Sequence, residues 1–191
     1  MSKLTCLAIA VLLLAPAPLP MAFARTLTPG HSAAQQRELD TLLDRLAQAS
    51  DEPEARALAD HVWQIWARPD DAELAARMAA ILTASGFAGP AGQMPLIEKL
   101  IADYPDYAEG WNLRATAHFL RGDHDAALAD IEQVLSREPR HFGALSGRAL
   151  IYHSQGRYAD ALEAMKAALA IHPFLPERGL FPELGQPPIR S

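Results

Sequence analysis

The sequence predicts an all-α protein made of repeated helix pairs, and three observations predict it. Apolar residues recur at steps of three and four, as on one face of a helix. No alternating apolar and polar run of useful length marks a strand. The chain also matches itself at a step of 34 residues, which joins Gly122 to Gly156, Ala127 to Ala161, Leu135 to Leu169 and Pro139 to Pro173. Pro105 extends the proline series backwards by the same step.

Residues 1–24 stand outside this pattern. Met1-Ser2-Lys3 is a short basic start, Leu4–Leu14 is apolar and uncharged, and Ala22-Phe23-Ala24 places small residues where a signal peptidase needs them. The apolar run is too short for a comfortable membrane span. This is the pattern of a signal peptide cleaved after Ala24, with an uncleaved anchor as the alternative. Cleavage removes Cys6, the one cysteine, so the mature chain has no thiol for disulfides, catalysis or metal binding. It also removes Lys3, one of 17 basic residues, and none of the 23 acidic ones. A surface of that sign argues against nucleic acid or anionic lipid as the main partner.

Residues 25–38 read as a polar lead-in broken by Pro29-Gly30. The repeat domain is expected over 39–175. Leu39, Leu42, Leu43 and Leu46 open it, and Leu58, Val62, Ile65 and Trp66 continue the helical spacing. Residues 40–73 fit the 34-residue frame loosely, through Leu43, Ala47, Ala59, Trp63 and Trp66, with Pro53 near the start of the second helix. Residues 74–107 form a degenerate unit with Gln93 where alanine belongs, Pro90 in the loop and Pro95 in a first helical turn. Two full units follow without a gap, 108–141 and 142–175. The C-terminal residues 176–191 predict a short cap around Glu177–Leu184 and a tail.

In the two full units the same roles recur. Each has a large residue early in the first helix (Trp111, Leu145), a small one packing the pair (Ala115, Ala149), glycine in the turn, a bulky core residue (Ile131, Met165) and a closing proline. On these residues the chain resembles the tetratricopeptide-repeat family, and "YAEGWNLRAT" and "EPRHFGALSG" are similar to an exported bacterial subfamily. The resemblance implies helix pairs stacked into a right-handed α-solenoid and a concave groove, lined by first helices, that binds a peptide or helix of another protein. It implies a periplasmic interaction module, an adaptor or a component of envelope assembly, with no cofactor.

The resemblance and helical geometry together list the groove residues: Met78 and Leu82, with Ser85, then Glu109, Asn112, Thr116, Phe119 and Leu120, then Gly143, Ser146, Gly147, Leu150 and His153, with Ser154. Phe119, Leu120 and Leu150 either line the groove or pack on neighbouring helices. Tetratricopeptide domains that clamp a terminal carboxylate use Lys, Arg and Asn here. This chain has Asn112 without a basic partner on those lines, apart from Arg45 in the loosely fitting unit, so a carboxylate clamp is not expected. Arg114 and Arg148, also 34 apart, either form a basic stripe or pair with nearby acids such as Glu109 or Asp130.

The residues offer little to catalysis. Asp123, His124 and Asp125 lie in a turn, where an N-capping aspartate is ordinary. His141 and Ser146 are five apart, with no acid nearby to orient the imidazole. No phosphate-loop, dinucleotide or nucleophile-elbow motif occurs. The rival readings are an exported metal-dependent enzyme using His118, His124 or His153, and self-association through Trp63, Trp66 or C-terminal apolar residues. Gly143 and Gly147 share a helical face, and glycine costs about 1 kcal/mol against alanine inside a helix. Either another helix packs closely there or the groove floor is bare.

Overall fold

The computed structural model describes residues 31–84 and 92–187, and among these every regular element is helical. Four helix pairs follow one another: α1 (Ala33–Leu46) with α2 (Glu52–Ala67), α3 (Ala72–Thr83) with α4 (Met94–Asp103), α5 (Ala108–Leu120) with α6 (His124–Arg137), and α7 (Phe142–Ser154) with α8 (Tyr158–Ile171). Two 3₁₀ turns, Pro176–Leu180 and Pro182–Leu184, follow α8. This is an all-helical repeat solenoid. The expected signal peptide and the first part of the lead-in lie outside the described residues.

Local chemistry sets the helix starts. Ser32, Asp51 and Asp71 each accept a backbone N–H three residues on, from Gln35, Glu54 and Leu74. Pro53 and Pro95 sit in first turns, where their missing N–H costs nothing. The turns inside the last two pairs use Gly122 at φ 78° and Gly156 at φ 72°, a left-handed conformation that explains why glycine recurs at the repeat step.

α1 starts at Ala33, inside the segment read as a polar lead-in. The apolar stripe begins only at Leu39 because polar contacts hold the first turn to the end of α2. His31 Nε2 donates to the Ile65 carbonyl at 2.7 Å, Gln35 donates to the Arg68 carbonyl at 3.1 Å, and Asp70 accepts from the Ser32 N–H at 3.1 Å. Gln93, the departure from the repeat pattern, is buried and donates to the Ile81 carbonyl at the end of α3 at 2.5 Å.

Among the described residues three apolar cores hold the fold. One joins α3, α4 and Tyr107, and a second joins α5, α6 and α7. The third is non-local: α1 and α2 share a core with α7, α8, Leu175 and Phe181. The first pair therefore packs on the last. Trp66 stacks on His141 at 4.1 Å and 8°, while Trp63 meets His141 and Phe142 edge-on, each at 5.4 Å. Arg140 donates to Asp44 across this junction at 2.7 Å, and the Tyr107 hydroxyl donates to the Trp66 carbonyl. Of the surfaces read from sequence for a second copy, Trp66 and, among the C-terminal apolar residues, Phe181 are buried within the chain, while Trp63 is half-buried.

Candidate functional site

The docking of α2 beside α7 leaves a cleft of about 930 Å³ between α2, α7 and the C-terminal turns. Helical spacing builds two of its sides. α2 contributes Arg56, Asp60 and Trp63, and α7 contributes Gly143, Ser146, Gly147 and Leu150. The third side is the C-terminal segment, with Phe174, Leu175, Glu177 and Phe181. Arg178 folds that segment back. Its guanidinium donates to the carbonyls of Leu184, Gly185 and Gln186 at 2.6, 2.9 and 2.8 Å, and more weakly to Pro173 at 3.4 Å.

The two glycines have different reasons. A Cβ on Gly143 would come within 2.8 Å of the Trp63 ring, so this glycine permits the close approach of α2. A Cβ on Gly147 would meet only Ile131, at 3.8 Å, so here the cleft floor is bare. Both alternatives for the pair hold, one at each position.

Two polar atoms of the cleft residues are shielded from solvent and have no hydrogen-bond partner: Ser146 Oγ and Glu177 Oε2. Arg56 is engaged by Glu52 at 2.5 Å. His172, on the same cleft, is held below its ordinary pKa by burial and so favours the neutral form, with its ring edge-on to Phe142 at 5.3 Å.

The other groove candidates separate. Met78 is 1% exposed and belongs to the α3–α4 core, which corrects its place in the groove. Glu109 is likewise buried. It accepts from Asn112 at 2.9 Å and meets His141 Nε2 at 3.1 Å. His141 Nδ1 accepts the Ala144 N–H at 3.0 Å and caps α7, so the proton sits on Nε2 and points at Glu109. An acid thus does orient His141, from 32 residues away, a pairing that spacing could not reveal. It does not make a nucleophile of Ser146, whose hydroxyl has no partner.

Leu82 and Leu120 are exposed, and Thr116 donates to the Asn112 carbonyl at 3.0 Å. Phe119 stacks on His124 at 5.9 Å, and His153 lies edge-on to Tyr158 and Phe181. Ser154 Oγ donates to the Ile151 carbonyl at 2.7 Å, while Ser85 falls outside the described residues.

The proposed basic stripe is interrupted. Arg114 makes two 2.8 Å hydrogen bonds to Asp130, which raise its pKa, and lies over the Trp111 ring at 4.9 Å. One repeat later Ala164 stands where Asp130 would be, so Arg148 lacks that partner. His118 lies 3.6 Å from Asp123 and 3.9 Å from Asp130, apart from the contacts of His124 and His153. Among the described residues no three His, Cys, Asp or Glu side chains converge as a metal site, and no helix is long and apolar enough to cross a membrane.

The comparisons agree with this architecture. Residues 95–133 and 121–176 match the sequence model of the tetratricopeptide repeat. A TPR repeat-containing protein of Rhizobium etli is 34% identical over 142 residues, 74% of this chain and 70% of that protein. Repeats of this kind generally mediate protein–protein interaction. The chain belongs to the tetratricopeptide-repeat family.

Proposed function

We propose that the protein is an exported, periplasmic adaptor that holds a segment of another protein in the cleft between α2, α7 and the C-terminal turns. The observation that carries this reading is the cleft itself. It combines apolar walls (Trp63, Phe142, Leu150, Phe174) with a few polar groups, the composition that binds and orients a ligand. Its volume of about 930 Å³ is at the upper end of the range of about 300–1,000 Å³ typical of ligand pockets. That room suits a short extended segment better than a long helix. Export is supported by Lys3, the apolar run Leu4–Leu14 and Ala22-Phe23-Ala24.

A photo-crosslinking residue at Leu150, in the full chain in cells, tests the reading. A second probe at Glu163, exposed on α8, is the control. Discrete adducts from position 150 and none from 163 are expected, and Leu150→Glu abolishes partner capture while helicity stays. Equal labelling from both positions, or capture that survives Leu150→Glu, overturns the assignment of the cleft.

A further inference from the structure

The geometry points to a selective occupant: we propose that the cleft takes an extended peptide bearing a basic side chain beside an apolar one, the basic group meeting Glu177 and Asp60. This rests on the reading of the cleft as a peptide site and adds which peptides it selects.

Charge is the first argument. The cleft residues include three carboxylates, Glu52, Asp60 and Glu177, against two guanidiniums, Arg56 and Arg178. Arg56 is charge-paired with Glu52, whereas Arg178 is hydrogen-bonded to the backbone carbonyls of the C-terminal turns but keeps its charge. Asp60 and Glu177 have no ion-pair partner among the described residues, so with Arg178 counted the cleft side chains carry one net negative charge.

Buried polar atoms are the second argument. Glu177 Oε2 is shut off from solvent with no donor, which is costly for a carboxylate oxygen. A lysine ammonium or arginine guanidinium in the cleft brings the opposite charge to this carboxylate, and a turn of the Glu177 side chain gives Oε2 the missing donor. Ser146, itself 4% exposed, brings a second unpartnered atom from the cleft floor. Its hydroxyl can donate to or accept from a peptide group.

Shape is the third. Gly147 leaves the floor without a side chain, so a peptide backbone can approach α7 there. Beside it Leu150, and from α2 Trp63, offer the apolar surface that a neighbouring hydrophobic side chain would cover. Together these features define a cleft with a bare floor, apolar surface beside it, and a carboxylate on each of two facing sides, Asp60 from α2 and Glu177 from the C-terminal segment.

The test uses three heptapeptide pools with central Phe fixed, the next residue Lys, Gln or Glu, and all other positions random. Each pool is passed over the immobilised full-length protein and the retained peptide is quantified. The Lys pool is expected to be retained at least tenfold over the Glu pool. In the double variant Asp60→Asn with Glu177→Gln, which preserves side-chain size, that ratio falls to near one while Phe-containing peptides still bind. Equal retention of the three pools by the unmodified protein overturns the selectivity and leaves the peptide reading intact. A Lys preference unchanged in the double variant shows that other acids carry it, and also overturns the proposal. No retention of any pool overturns both readings.

Discussion

Trp63 and Gly143 are in contact so close that the place of a β-carbon on Gly143 lies 2.8 Å from two carbons of the indole ring. They come from opposite ends of the repeat array, and their contact joins the first helix pair to the last. Trp63 cannot easily give way, because Trp66, His141 and Phe142 pack around its ring.

The two glycines of α7 should therefore respond oppositely to alanine. Gly147→Ala has ordinary contact room and is expected to stabilise the fold by up to about 1 kcal/mol through helix propensity. Gly143→Ala is expected to destabilise it by about 1–3 kcal/mol, since overpacking a tight contact outweighs that gain. Denaturant unfolding of the two variants checks the opposite signs, and Trp63→Leu should relieve the second.

Glu109 is expected to matter for stability through His141. Glu109→Ala leaves the imidazole N–H buried without an acceptor, a loss of about 1–3 kcal/mol. Glu109→Gln keeps an oxygen in place and should lose less. Thermal unfolding of the pair separates the missing acceptor from the missing charge.

Acid should weaken the fold through His172. Burial lowers its pKa in the folded chain, so the unfolded chain binds the proton first. The stability from the neutral ring is complete above the unfolded pKa of about 6.5 and declines as pH falls below it. His172→Gln is expected to flatten the stability profile between about pH 7 and pH 5, a range that spans that pKa. An unchanged slope assigns the acid response to other groups.

Arg178 is expected to hold the cleft wall rather than the repeats. Arg178→Met keeps an apolar stem but removes every donor to the carbonyls of Leu184, Gly185 and Gln186. Limited proteolysis should then cut within residues 177–187 much faster while helicity stays near that of the unmodified protein. Arg178→Lys should not restore protection, because one ammonium cannot reproduce the planar fork.

What could be read from the sequence follows from how local each feature is. Gly122, Gly156 and the closing prolines report turns and helix ends, so pairs α5–α6 and α7–α8 were legible from their spacing. Gly143, Ser146, Gly147 and Leu150 were legible as one face for the same reason. The start of α1 was not, because hydrogen bonds to the end of α2 replace an apolar stripe in its first turn. Nor was the return of α1 and α2 onto the last repeat. That packing rests on Trp63, Trp66, His141 and Phe142, which are distant in sequence and carry no shared period. Met78 failed as a groove residue for a related reason: an apolar residue on a helix does not say which neighbour will cover it.

The most direct test of this account is a proton NMR measurement of contact between the Trp63 indole and the Gly143 α-protons in the full chain. Docking of the first helix pair on the last predicts a strong nuclear Overhauser cross-peak between them and ring-current displacement of the Gly143 resonances. Absence of the cross-peak, with Gly143 at random-coil shifts, would contradict both the head-to-tail packing and the cleft that depends on it.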